Sequence, residues 1–134
     1  MQGFEIVERA RDARAQLLAV ERVPLAPGED ALGSAVLLVF DVGRVLVSVT
    51  AARLAVRHIE SPDDAPSGLS SCQEEEPWWR LLGCALSGAS VTAGGAGLQL
   101  ELTSGGPEPR FVELVPDSGG VRSRLVDAPS VAPG

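Results

Sequence analysis

Between Ser34 and Glu60 the chain reads SAVLLVFDVGRVLVSVTAARLAVRHIE, three runs of apolar and β-branched residues separated by DVGR and TAAR. This is the spacing of strands joined by tight turns, and it predicts an antiparallel meander of three strands. In the first run Val36, Leu38 and Phe40 alternate with Leu37 and Val39, so the strand is apolar on both sides. Such a strand needs cover on both faces, which places it in the middle of a covered sheet. In the second run Val45, Val47 and Val49 share one face, and in the third His58 falls on the face of Leu54 and Val56.

Upstream, Ile6, Ala10, Ala13 and Leu17 recur at steps of four, three and four, which predicts an amphipathic helix from Phe4 to Leu18. Glu5 with Arg9, and Glu8 with Arg11, are spaced to pair along its outer surface. AQLLAVERVPL then drifts into a strand that should stop before the breakers of LAPGEDALG. Downstream, PWWRLLG reads as a second, short helix. The strands ALSGASVTA, GLQLELT, RFVELVP and VRSRLV follow, separated by glycine-rich turns. Leu98, Leu100 and Leu102 alternate with Gln99, Glu101 and Thr103, the pattern of a sheet with one wet face. Glu101, Glu113, Arg122 and Arg124 are then expected to meet across strands on that face.

The fold class that follows is α+β: mainly antiparallel sheet with two helices. A chain of 134 residues suits one domain and buries roughly two thirds of its unfolded surface, so it needs no metal or disulfide to hold together. The domain is expected to span residues 1–126, with a flexible tail over 127–134. The order αββββ reads twice, over halves 1–60 and 74–126, around one core. Leu17 and Leu18 correspond to Leu81 and Leu82, Val36 to Leu98, and Val45 to Phe111. Identity between the halves is negligible, so this is either a true duplication or a coincidence of pattern.

The formal net charge is −7, and its distribution matters more than its sum. Residues 60 to 76 hold Glu60, Asp63, Asp64, Glu74, Glu75 and Glu76 and no base, which leaves twelve acids against eleven arginines elsewhere. The segment is expected to be a solvated acidic linker between the halves. Because no basic stripe is present, nucleic acid is not an expected partner. No apolar run approaches the ~20 residues needed to span a bilayer, and the first residues lack the apolar stretch of a secretory signal. The expectation is a cytoplasmic protein without membrane attachment.

Cys72, Cys84 and the single His58 match no zinc spacing, and no cofactor motif is present; a reducing cytoplasm would leave the two cysteines as thiols. His58 has Ser61, Asp63 and Asp64 close in sequence, but neighbours in a turn have no special geometry for catalysis. In PWWRLLG, Pro77 suits a first helical position and Gly83 a left-handed stop. Glu74, Glu75 and Glu76 then sit at the favourable end of the helix dipole. Trp78, Leu81 and Leu82 form one helical face, which makes Trp78 the core plug. Trp79 is turned away from that face, and with Glu74, Glu75 and Glu76 it is the candidate contact for a partner protein, one that is basic if the acids act as an electrostatic lure.

The stretch EEEPWWRLLGCAL, followed by GLQLEL and PEPRFVELVPDSGGVRSRL, resembles a family of small bacterial proteins known only as a domain of unknown function. Its E-E-P-W-W-R-L-x-G start is the most specific part, and the resemblance covers residues 74 to 126. It implies an intact structural unit there and no activity. The expected function is a non-catalytic protein-binding module, monomeric or homodimeric, with a toxin-neutralising immunity-type protein as one form of it. The alternatives are an assembly subunit that pairs through a sheet edge, and a small hydrolase using His58.

Overall fold

The computed structural model describes residues 3–24, 32–66, 68–72, 77–92, 96–104, 109–117 and 120–126. One α-helix, α1 (Phe4–Asp12), leads into β1 (Leu17–Pro24), β2 (Leu32–Phe40), β3 (Gly43–Thr50) and β4 (Arg53–Ile59). A two-residue strand, β5 (Ser70–Ser71), and a 3-10 turn, Pro77–Leu81, precede β6 (Ala85–Val91), β7 (Leu98–Thr103), β8 (Arg110–Asp117) and β9 (Gly120–Val126). The described residues are thus mainly antiparallel sheet with a single α-helix. The second helix expected over PWWRLLG is a five-residue 3-10 turn.

The meander read from residues 34–60 is present as β2, β3 and β4, with turns at Asp41–Val42 and Ala51–Ala52. The helix ends earlier than its apolar spacing predicts. Ala13 caps it and Arg14 takes a left-handed conformation at φ 49°, which turns the chain into β1, so Leu17 is a strand residue. That removes the correspondence between Leu17 and Leu81.

Strands β1 to β4 form one antiparallel meander and β6 to β9 a second. Two stitches join them. Leu32 and Gly33 of β2 pair with Arg122 and Val121 of β9. Gln16 bridges to Ala85, and Leu17 N–H donates to Cys84 O at 2.8 Å. The path β1–β2–β9–β8–β7–β6 and back to β1 is therefore a closed circuit of backbone pairing, which leaves fewer open strand edges. Helix α1 packs Val7 and Ala10 into the same core and lies against β4 and β6.

Both faces of β2 are covered, as its apolar pattern requires. Val36, Leu38 and Phe40 join the main core with Trp78, Leu100 and Leu114. Ala35 and Leu37 face the other way, with Leu46 and Ile59, beneath Ala65 and Leu69. Part of the segment expected to be a solvated linker is thus a cover for the outer face of β2–β4. Arg57 Nη2 donates to Asp64 O at 3.4 Å, and β5 pairs with β1 at Glu21–Ser71, which holds that cover at both ends.

On the second meander the polar face is not wet at its centre: Gln99 is 2% and Glu113 4% exposed. Glu113 lies opposite Arg124 in register and accepts from its Nη2 at 2.6 Å and its Nε at 2.9 Å. Arg122 pairs instead with Asp117, and Glu101 Oε2 accepts from Ser87 Oγ at 3.2 Å. A twisted sheet lets long neighbours lie across its central residues, which alternation alone does not show.

Candidate functional site

The 3-10 turn explains how two adjacent tryptophans part ways. With 3.0 residues per turn, positions i and i+3 fall in line. Trp78 and Leu81 are therefore both buried in the main core, Trp78 at 1% exposure, while Leu82, which an α-helix would have put on the same face, is only partly buried. Gly83 stops the turn at φ 90°, the left-handed conformation read from the sequence. Trp79 and Arg80 point outward, and Trp79 keeps 45% of its surface exposed. Glu74, Glu75 and Glu76 lie outside the described residues.

The segments around Trp79 meet at Gln16. Its backbone N–H donates to Asp41 Oδ1 and its backbone carbonyl accepts from Asp41 N–H, both at 3.0 Å. Its side-chain Nε2 donates to Gly83 O at 3.0 Å, and Gly83 N–H donates to Leu17 O at 2.7 Å. These bonds tie the start of β1, the β2–β3 turn and the end of the tryptophan turn to one end of the molecule. On those three segments sit Leu18 at 52%, Val42 at 58% and Trp79 at 45% exposure. They are three of the four exposed large hydrophobic residues among those described, and sequence reasoning singled out Trp79 alone.

A second feature lies beside Val42. A groove of about 630 Å³ opens between α1 and the ends of β2, β3 and β4. Its apolar lining includes Ile6, Ala10, Phe40, Val42 and Val45, and among the described residues its ionisable lining is Glu5, Arg9, His58 and Glu60. Phe40, Val45 and His58 stand on the core-facing side of the first meander, Phe40 and Val45 buried at the foot of the groove and His58 exposed at its rim. Gly43 lets the imidazole approach: a Cβ there would come within 2.7 Å of His58 Nε2.

His58 itself is exposed, and among the described residues no Ser, Thr or Cys lines the groove. The Ser61 hydroxyl is engaged locally, accepting from Asp63 N–H at 3.3 Å. Cys72 and Cys84 are buried in the main core. Among the described residues no group of three or more His, Cys, Asp or Glu is placed to hold a metal ion, and no helix is long and apolar enough to cross a membrane. The Glu5–Arg9 pair read from the sequence is not formed, and both side chains line the groove; Glu8 does pair with Arg11, at 3.8 Å.

No family model matches this chain, and neither a curated protein nor a solved structure does.

Proposed function

We propose that this protein is a non-catalytic protein-binding module that engages its partner through the Gln16 end, with Trp79 as the central anchor. The observation that carries this reading is the exposure of Trp79, Leu18 and Val42 on three segments that hydrogen-bond to one another. Leaving such side chains in water costs hydrophobic free energy that a partner's surface would recover, and tryptophan is the residue most enriched at binding hot spots. The net charge of −7 favours a basic partner, and a cytoplasmic immunity-type protein that masks a toxin is the form that a small acidic chain suits.

The test is affinity capture from the native host with the wild-type protein and with Trp79→Ala, both shown to be folded at the working temperature. A partner held by the wild type and lost with the variant is expected, with weaker capture at higher salt. Equal capture by both proteins refutes the anchor. Sedimentation at several concentrations reads the alternative, self-association: a wild-type dimer that Trp79→Ala leaves intact would place the contact at a strand edge instead.

A further inference from the structure

The outer face of the first meander carries an apolar patch that owes its burial to a thin cover. Leu37 lies opposite Leu46 in register, and Val39 and Ile59 both lie opposite Arg44, so these four apolar residues are neighbours on three adjacent strands. Leu37, Leu46 and Ile59 are all at 3% exposure or less. Ala65 and Leu69 pack against them from outside the sheet. Yet among the described residues from 60 to 71 none is itself buried: Glu60, Asp63, Asp64, Gly68, Ser70 and Ser71 are exposed, and Ala65 and Leu69 are only partly buried. The cover therefore takes little of its own apolar surface out of water while it keeps three large side chains dry.

Its attachments are equally light. Arg57 Nη2 donates to Asp64 O at 3.4 Å and Arg22 Nη1 donates to Ser70 O at 3.3 Å, both at exposed positions. Strand β5 pairs with β1 over two residues only. Beyond it Cys72 is buried in the main core, and its N–H donates to Val20 O at 3.0 Å. Ile59 and Cys72 are thus fixed points on either side of the cover. By contrast, α1 and the tryptophan turn each send two side chains into the main core, Val7 with Ala10 and Trp78 with Leu81. The circuit β1–β2–β9–β8–β7–β6 closes without any residue of the cover. A segment with few buried apolar contacts and exposed hydrogen bonds opens at a free energy well below that of global unfolding.

We propose that residues 60–66 and 68–71 are a releasable cover, which lifts from β2–β4 while the rest of the chain stays folded and so uncovers the patch of Leu37, Val39, Leu46 and Ile59. The closed form hides the patch and the open form presents it, so a ligand that binds the patch draws the equilibrium toward the open form. The patch lies on the side of β2 away from the main core and shares no residue with the Trp79 end, so either proposal can fail alone.

The test is labelling of the full chain carrying Leu46→Cys with N-ethylmaleimide, without denaturant, each labelled thiol being identified by peptide mass. Cys84, buried in the main core of the same chain, reports global opening. The thiol introduced at position 46 is expected to react roughly tenfold or more faster than Cys84, and far more slowly than a thiol of the unfolded chain. Adding Leu69→Ala, which removes part of the cover's apolar contact, should speed the introduced thiol about tenfold and leave Cys84 unchanged. Melting temperatures report whether the variants fold, and Ile59→Cys repeats the measurement at another position of the patch if Leu46→Cys does not. The inference is overturned if the introduced thiol reacts no faster than Cys84, since the patch is then reached only by global unfolding. It is equally overturned if that thiol reacts as fast as in the unfolded chain, since the cover then never closes, or if Leu69→Ala speeds both thiols alike.

Discussion

Trp78 and Trp79 are neighbours in sequence with opposite roles, and truncating each to alanine separates them. Burying a tryptophan removes on the order of 200 Å² from water, about 5 kcal/mol at ~25 cal/mol per Å², and truncation in a core commonly costs about 3–5 kcal/mol. Trp78 is 1% exposed, so the whole of that range applies to it, with one deduction. Its indole Nε1 is buried and finds no acceptor among the described residues. Losing an unpaired donor returns about 1 kcal/mol or more, which brings the expected cost of Trp78→Ala to the lower end, about 3 kcal/mol. For a chain of this length that is roughly a 10 °C fall in melting temperature. Trp79 is 45% exposed, and solvent fills the space it vacates, so Trp79→Ala should cost about 1 kcal/mol, a fall of about 3 °C. Thermal unfolding followed by circular dichroism measures both. Acrylamide quenching of the single-tryptophan variants gives an independent reading, with Trp79 quenched and Trp78 protected. If Trp79→Ala destabilised as much as Trp78→Ala, the three-residue period assigned to the turn would be wrong, and with it the assignment of Trp79 to binding.

The remaining predictions concern backbone conformation. Ala51 and Ala52 form the two-residue turn between β3 and β4 with φ 54° and 62°, a conformation that suits Asn-Gly and costs alanine roughly 1 kcal/mol or more per residue. The double substitution Ala51→Asn, Ala52→Gly should therefore raise stability by about 1–2 kcal/mol in urea titration, and no gain would argue against that turn geometry. Gly3 precedes α1 at φ 85°, and a Cβ there would sit 1.9 Å from Val56 O. Gly3→Ala should cost about 1–3 kcal/mol and loosen the contact of α1 with β4, visible as faster amide exchange in the helix.

Much of the fold is legible because strand patterning is local. The alternation over residues 34–60 and the breaks at DVGR and TAAR mark β2, β3 and β4, and the two-sided apolar character of β2 marks it as covered on both faces. The later strands are marked in the same way, although their outer face is drier than alternation suggests. The helices are less well marked. A five-residue segment such as PWWRL carries too few positions to tell a period of 3.6 from one of 3.0, and the spacing of Ile6, Ala10 and Ala13 continues to Leu17 without any breaker. Where the helix stops is set by Arg14 turning left-handed so that Leu17 can pair with Cys84 and Phe40, residues far away in the chain.

The candidate sites divide along the same line. Trp79 stands out in the sequence because it adjoins a better core residue and a short helical turn has only one buried face. Leu18 and Val42 do not stand out, since each looks like an ordinary apolar residue until Gln16 ties their segments to Gly83. His58 has no visible companions in the sequence; Glu5 and Arg9 lie about fifty residues away and read there as an ion pair.

By itself the sequence determined the strands, their turns and which tryptophan enters the core, because these follow from periodicity and conformational preference over a few residues. Only the tertiary structure decided that the two meanders close on each other, that an acidic segment covers β2, and that Glu5, Arg9, His58 and Glu60 gather at one groove. Those outcomes depend on which distant surfaces are brought together to escape water, and no short window of residues carries that information.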